Sequence, residues 1–285
     1  MRLTYPVDAL VSYFYFQRDE AMAPVTKPGF LRLVGDSGAF SAYTQGKPVQ
    51  LNAYAAWCKR WAGSLAWVAA LDVIGNPDAT YRNWATFRDD YGINAVPTLH
   101  AGGDLKWLAA YAEQGVDFIG LGGLVGLPPS RVFPWVVHVF RHARDHHPGM
   151  RFHLWGVTNR KILNAVPAYS ADSSGIMGAA YRFARIDLFD PFKQAVRPVY
   201  LDGKQPYRER DILAGYYGVD PALIATSHPG NKPILVKLSS ASTQAYAAWL
   251  QARHKVTAPQ WVLGGEPTGT RVHIVDSAAM KLLLG

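Results

Sequence analysis

Short apolar runs that alternate with longer amphipathic stretches are the feature that most constrains the fold of this chain. Seven apolar runs are each followed by a helix-like or loop segment, and they cover 9–16, 31–35, 65–71, 93–99, 117–123, 151–157 and 168–172. Near-continuous apolar strands of this length are typical of parallel sheets, which are buried on both faces. Repeated about seven times, the alternation predicts an α/β fold with a parallel sheet.

An eighth strand at 260–264 (QWVLG) would complete a (β/α)8 TIM barrel, which is the architecture that we expect. A doubly wound sheet is the alternative. The length of 285 residues suits one barrel domain over 1–285, with a basic elaboration inserted at about 180–257. Within that elaboration we expect helices at 208–217 and 242–254, on the basis of their amphipathic spacing.

Composition narrows the class of protein further. The chain is 49% apolar and 18% charged, a balance that excludes disordered and fibrous proteins. A lone cysteine, Cys58, excludes an internal disulfide and a multi-cysteine zinc site. No apolar run is long enough to span a bilayer, and the N-terminus lacks the apolar core of a signal peptide. We therefore predict a cytoplasmic protein (host cytoplasm, if a phage encodes it) with no membrane contact, no metal and no cofactor.

Positive charge is concentrated in the second half of the chain. Basic and acidic residues are nearly balanced over 1–120, whereas basic residues outnumber acidic ones almost two to one over 121–285. Basic residues interleaved with aromatic ones suit a nucleic-acid backbone and unstacked bases. A solvated basic surface is the alternative. The candidate backbone contacts are Arg182, Arg185, Lys193 and Arg197.

Acidic residues mark the carboxyl ends of three of the apolar runs. Asp36 follows run 31–35, Asp72 follows run 65–71, and Asp172 lies at the end of run 168–172. The carboxyl ends of parallel barrel strands converge on one mouth, where active sites lie. Any one of these residues could instead be the N-cap of the next helix. Three together predict an acidic active site.

Two carboxylates across a pocket can carry out substitution at the anomeric carbon of a sugar. One attacks C1′, and the other moves protons to and from the leaving or arriving group. Glycines beside the carboxylates allow a flat ligand to approach the backbone closely. Phe40 and Trp155 offer aromatic faces for such a ligand, although packing in the core is the alternative for both.

Six motifs follow one another in the order found in a known enzyme family. They are DSGAF at 36–40, LDVIGNP at 71–77, LHAGG at 99–103, GLGGLVG at 120–126, LWGVTN at 154–159 and SADSSG at 170–175. This series resembles the tRNA-guanine transglycosylases, and it is closest to the zinc-less phage and bacterial members that insert 7-deazaguanines into DNA. The resemblance covers roughly residues 30–180. It implies a (β/α)8 barrel that exchanges guanine for a 7-deazaguanine, such as 7-cyano-7-deazaguanine, without breaking the strand.

The resemblance also implies a role for individual residues. Asp172 matches the nucleophile that bonds to C1′, and Asp36 matches the general acid/base that serves the departing and incoming bases. Asp72 matches the carboxylate that reads the pyrimidine edge of the base. The remaining base-binding positions are Ser37, Phe40, His100, Gly122, Gly123, Leu124 and Trp155.

Departures from the family pattern bear on the substrate. The tRNA-modifying members carry a C-x-C-x-x-C zinc site that this chain lacks, which favours DNA over tRNA as the partner. His100 replaces an expected glutamine, so recognition of the base can differ. The expected partners are DNA and a free 7-deazaguanine base, with an accessory protein as a further candidate. Three alternatives stay open: a tRNA-guanine transglycosylase, a retaining glycoside or nucleoside hydrolase, and a catalytically silent barrel that binds nucleic acid.

Overall fold

The computed structural model describes residues 7–27, 31–173, 184–202, 210–226, 228–257 and 271–274. These residues form a mixed α/β fold with a large parallel sheet and a separate antiparallel pair of strands. The predicted α/β class with parallel strands is therefore confirmed. Closure of the sheet into a TIM barrel stays a prediction at this point.

Eleven strands are present among the described residues. They are β1 (Val7–Ser12), β2 (Leu31–Asp36), β3 (Leu65–Ala69), β4 (Ala95–Val96), β5 (Thr98–His100), β6 (Phe118–Gly122), β7 (Arg151–Leu154), β8 (Ser170–Ser173), β9 (Arg185–Asp190), β10 (Ala195–Tyr200) and β11 (Arg271–Ile274). Every predicted apolar run overlaps a parallel strand. Pro97 divides run 93–99 into β4 and β5, because proline has no N–H for the strand ladder.

Nine α-helices are found in the part of the chain that the structure describes. They are α1 (Asp19–Met22), α2 (Ala39–Gln45), α3 (Leu51–Trp61), α4 (Pro77–Asp89), α5 (Lys106–Glu113), α6 (Pro129–His146), α7 (Arg160–Ala165), α8 (Arg210–Tyr216) and α9 (Lys232–His254). Two short 3-10 helices, Pro221–Ile224 and Pro229–Asn231, lie between the last two. None of the helices in the described part of the chain is long and apolar enough to cross a membrane.

The strand order of the large sheet is β4-β3-β2-β1-β11-β8-β7-β6-β5, and all of its pairs are parallel. The predicted strand 260–264 lies outside the described residues. The strand found between β1 and β8 is β11 at 271–274. Because all strands run the same way, their carboxyl ends share one edge of the sheet, which is where Asp36 and Asp172 lie.

Successive side chains of the strands enter two different cores, since they point alternately to the two faces of the sheet. On one face, Leu33 packs in a large cluster with helix residues such as Trp84 and Val136. On the other face, its neighbour Val34 packs in a small cluster made almost wholly of strand residues and their flanks. That cluster comprises Leu10, Val34, Trp67, Val96, Phe118, Tyr169 and Val256. Helices therefore cover only one face of the sheet.

The segment between β8 and β11 has an apolar cluster of its own. Strands β9 and β10 form an antiparallel hairpin that packs with α8 and the first half of α9. The predicted helix 208–217 is found as α8, and the predicted helix 242–254 begins ten residues earlier, at Lys232. The hairpin was not foreseen, because charged residues interrupt both strands. The expected elaboration at 180–257 thus contains a hairpin and two helices.

Candidate active site

Three carboxylates lie close enough for their charges to interact. Burial and, after it, the negative charges of Asp72 and Asp172 together raise the pKa of Asp36 to about 7. The three residues come from the ends of β2, β3 and β8 respectively, or from the residues just after them. An acid that is about half protonated at neutral pH can both give and take a proton there.

The turn after β2 holds the Asp36 side chain in place. The Gly38 N–H donates a hydrogen bond of 3.0 Å to Asp36 Oδ2, and this bond and the Ser12 hydroxyl both lower the pKa of Asp36, against the dominant effect of burial. Gly38 has φ +76°, and a Cβ there would lie 2.4 Å from Phe14 Cβ. Only glycine fits this turn, because a side chain would meet both backbone strain and a steric clash.

Asp72 is paired with His100, the residue that replaces the glutamine expected from the resemblance. His100 Nε2 lies 2.7 Å from Asp72 Oδ2, and both side chains are about 15% exposed. The segment that carries Asp72 is tied to α4, because Asn83 Nδ2 donates to the Leu71 carbonyl and the Val73 N–H donates to Thr80 Oγ1. The pair is therefore fixed in position but still reachable by a ligand.

Asp172 is buried, and two donors bind it through the same oxygen. The Gly156 N–H and His153 Nε2 both lie 2.9 Å from Asp172 Oδ1. The other ring nitrogen of His153, Nδ1, lies 2.7 Å from Ser170 Oγ. Because both contacts use the same oxygen, they fix the orientation of the Asp172 side chain.

The glycine-rich end of β6 makes room for Trp155. A Cβ on Gly120 would lie 2.0 Å from Trp155 Nε1, and a Cβ on Gly122 would lie 2.7 Å from Thr98 Cγ2. Gly123 has φ +67° and lies beside His100 and Ala101. The structure thus packs Trp155, Gly122, Gly123 and His100 against one another.

Other predicted base-binding residues differ in their exposure. Phe40, in the first turn of α2, is 54% exposed. Ser37 and Leu124 are buried, and the Ser37 hydroxyl accepts a hydrogen bond from the Ala39 N–H at the start of α2. Phe40 is therefore open to a ligand, whereas Ser37 has a local role in starting a helix.

The four predicted backbone-contacting residues have different environments. Arg182 lies outside the described residues. The Arg185 guanidinium is 3.2 Å from Asp187 on the same strand. Arg197 is half-buried, and Lys193 lies exposed in the turn between β9 and β10. Among the three described residues, Lys193 presents the most accessible charge.

The chain has no match among protein-family models, curated proteins or solved structures. The resemblance to tRNA-guanine transglycosylases therefore depends on the six motifs and stays a prediction. The positions of those motifs in the fold are nonetheless informative. DSGAF, LDVIGNP and SADSSG supply the three interacting carboxylates, while LHAGG, GLGGLVG and LWGVTN supply His100, the glycines and Trp155.

Sequence reasoning missed the residues directly behind Asp172. His153 is fully buried, and Ser170 is also fully buried. A signal was present, since polar residues occur two positions before Trp155 and two positions before Asp172 within apolar runs. Residues two apart on a strand point to the same face of the sheet, so His153 shares a face with Trp155 and Ser170 shares a face with Asp172. A polar residue there indicates a polar interior beneath the site.

Proposed function

We propose that this protein is a base-exchange transglycosylase that replaces guanine with a 7-deazaguanine in DNA through a covalent Asp172–glycosyl intermediate. The observation that carries the proposal is the contrast within one carboxylate cluster. Asp36 has a pKa raised to about 7, while Asp172 accepts two hydrogen bonds on one oxygen. A proton-carrying carboxyl beside an ionised one is the arrangement needed for substitution with retention at a sugar carbon.

The proposal includes closure of the large sheet into an eight-stranded barrel. In an open sheet of the observed order, β3 and β6 would be six positions apart, or about 29 Å at roughly 4.8 Å per strand. Trp67 of β3 and Phe118 of β6 nevertheless have ring centroids 5.2 Å apart. The Gly120 N–H donates to the carbonyl of Pro97, which joins β4 to β5. Both contacts support β4 and β5 being one strand that closes the ring.

The first half of the reaction uses the two carboxylates in different roles. A lone pair of Asp172 Oδ2 forms a bond to C1′ of the nucleotide, and the C1′–N9 bond breaks with its electrons passing to guanine. Protonated Asp36 gives its proton to the departing guanine. In the second half Asp36 takes a proton from the incoming base, whose nitrogen attacks C1′ and releases Asp172. No net oxidation or hydrolysis occurs.

The space beside the carboxylates suits a flat heterocycle. Gly122 and Gly123 let a ring approach the backbone, and Trp155 lines the same space. The Asp72–His100 pair supplies polar atoms that can bind the base edge. Phe40 supplies an exposed aromatic face in the helix that follows Asp36. Such a pocket requires a nucleotide that has left the base stack.

Exposed aromatic residues near Asp36 favour a nucleic acid over a small glycoside. Tyr15 and Tyr43 are 59% and 68% exposed, and Tyr15 is linked to α2 through Ser41 and Gln45. Unstacked bases bind aromatic side chains with about 1–3 kcal/mol per base. A monosaccharide substrate would not need aromatic faces beyond the one at the pocket.

The direct test is incubation of the protein with a guanine-containing oligonucleotide and radiolabelled guanine. We expect label in the intact DNA strand, and its release when unlabelled 7-cyano-7-deazaguanine is added. The variant Asp172→Asn should incorporate none. The matched control is Asp145→Asn, which removes an exposed carboxylate from α6 and should behave as the wild type.

The same assay separates the alternatives. Label in tRNA and none in DNA would assign the activity to tRNA. Free sugar or abasic DNA without incorporation would indicate a hydrolase. Binding without either product, together with no Asp172 adduct on denaturing gels, would contradict the proposal and indicate a silent binding protein.

A further inference from the structure

We infer that His153 and Ser170 form a buried positioning pair that fixes the nucleophile, so that Asp172 attacks only through Oδ2. This inference rests on the proposed base exchange and extends it. The resemblance to the enzyme family assigns no role to either residue.

The contacts of Asp172 define which of its oxygens can react. His153 Nε2 and the Gly156 N–H both bind Oδ1, each at 2.9 Å. An oxygen that accepts two hydrogen bonds is a poorer nucleophile than its neighbour, because its lone pairs are engaged. The hydrogen bonds therefore leave Oδ2 as the attacking atom and prevent rotation of the carboxylate.

The proton positions follow from what each partner can donate. An ionised carboxylate only accepts, so the ring nitrogen that faces Asp172 must carry the proton. In a neutral imidazole the other nitrogen is then an acceptor, and the Ser170 hydroxyl, 2.7 Å from Nδ1, donates to it. Ser170 thereby selects the Nε2–H tautomer of His153. This tautomer is the one that supports the nucleophile.

A neutral imidazole also suits the covalent intermediate. When Asp172 becomes an ester, its negative charge disappears, and a buried imidazolium would then lack a counter-charge. A neutral His153 leaves no such cost. Its Nδ1 accepts from Ser170 before and after the ester forms, so the pair need not rearrange during the reaction.

Aromatic rings exclude water from this pair. The His153 ring centroid lies 4.1 Å from that of Trp155, 5.1 Å from Trp67 and 5.9 Å from His273. The His153 side chain is 0% exposed. The pair is therefore buried within the described strands of the sheet.

Three variants test the pair in the base-exchange assay. His153→Phe should slow formation of the covalent DNA adduct about 100-fold, with the dissociation constant for the oligonucleotide within about twofold of wild type. His153→Gln should recover much of that rate, because its amide N–H can donate to Oδ1. Ser170→Ala should slow adduct formation about tenfold, less than His153→Phe does, because the Nε2–H tautomer of His153 then loses the donor that selects it. The matched control is His138→Phe, on the exposed surface of α6.

Other results would overturn the inference. Wild-type adduct rates in His153→Phe would remove the positioning role, and equal losses in the Phe and Gln variants would indicate packing alone. A wild-type adduct rate in Ser170→Ala would remove Ser170 from the positioning pair. If His153→Phe does not fold, the Gln and Ala variants still decide.

A measurement on the wild-type protein does not depend on activity. Nitrogen-15 NMR of the imidazoles at the assay pH should show His153 as the Nε2–H tautomer, assigned by loss of its signals in His153→Gln. An Nδ1–H tautomer or an imidazolium would contradict the inference even if base exchange occurs. Absence of base exchange in the wild type would instead reject the proposed function, while the tautomer still reports on the pair.

Discussion

The ends of β2 and β8 carry carboxylates of one cluster in opposite environments. Asp36 loses hydration and faces the charges of Asp72 and Asp172, and its pKa is raised to about 7. Asp172 instead receives two hydrogen bonds on Oδ1, one from the backbone and one from His153. Under the proposed function the two carboxyls have different tasks, since Asp36 carries the proton and Asp172 attacks C1′.

The largest expected effect is the loss of the β8 carboxylate. Asp172→Asn keeps the shape of the side chain but replaces the attacking oxygen, and we expect base exchange to fall by about 10^4-fold or more. Formation of a denaturant-stable protein–DNA adduct should be lost with it. Electrophoresis of labelled oligonucleotide with the variant, and with Asp145→Asn as control, measures both. Retention of the adduct in Asp172→Asn would assign the nucleophile to another residue.

Much of the β2 and β8 regions could be predicted from sequence. The apolar runs predicted the parallel strands, and parallel strands end at one edge, so Asp36, Asp72 and Asp172 were expected there together. Their charge interaction is a property of the fold that local patterning could suggest but not measure. The different environments of Asp36 and Asp172 depend on tertiary contacts, and no local pattern carries those.

The apolar pattern did not predict the polar residues beneath Asp172 or the β9–β10 hairpin, for two physical reasons. His153 and Ser170 lie in runs that read as apolar, and their contact joins two strands 17 residues apart. Strands β9 and β10 contain Arg185, Asp187 and Arg197, which break the apolar pattern while ion pairing and one-sided packing keep the strands in place. The charged residues within β9 and β10 therefore prevented their prediction from the apolar pattern.

Removal of the β2 carboxyl should have the second-largest effect on activity. Asp36→Asn cannot supply or take a proton, and we expect exchange to slow by about 10^2- to 10^4-fold. In the wild type, the rate of adduct formation should fall about tenfold per pH unit above pH 7, because the protonated fraction of Asp36 falls. Single-turnover kinetics from pH 5.5 to 9 would show this. A flat profile would indicate another proton donor.

The same substitution should stabilise the fold. The pKa of Asp36 is raised in the folded state, so the folded protein binds the proton more tightly than the unfolded chain. Its free energy of unfolding therefore falls as pH rises between about 4 and 7, and is constant above that range. The free energy of unfolding of Asp36→Asn should be higher than that of the wild type by a few kcal/mol at pH 8 and by less at pH 5. Urea unfolding at both pH values measures the difference, and Asp78→Asn is an exposed control. Equal stabilities at pH 8 would contradict the raised pKa.

Substitution within the Asp72–His100 pair tests the base-binding part of the proposed site. His100→Ala removes the 2.7 Å partner of Asp72 and leaves the two reacting carboxyls in place. We expect KM for the free base to rise by about 10- to 100-fold, the effect of losing one hydrogen-bonded group, with kcat changed much less. Steady-state exchange with varied 7-cyano-7-deazaguanine measures this, and His146→Ala on α6 is the control. A fall in kcat alone would place His100 in proton transfer instead.

The smallest expected effect is on the salt dependence of DNA binding. It distinguishes Lys193 from Arg185, two hairpin residues that the sequence analysis proposed for the same role. Lys193 is exposed in the β9–β10 turn, whereas Arg185 is only partly exposed and lies beside Asp187. A cation that neutralises one phosphate contributes about 0.9 to the slope of log affinity against log salt. Lys193→Gln should reduce that slope by about this amount, and Arg185→Gln by less, because Asp187 offsets part of its charge. Fluorescence anisotropy of a labelled oligonucleotide between 50 and 300 mM salt measures both slopes. Equal slopes in the wild type and both variants would place the DNA backbone away from the hairpin. A larger reduction of the slope in Arg185→Gln than in Lys193→Gln would mean that DNA displaces Asp187 from Arg185.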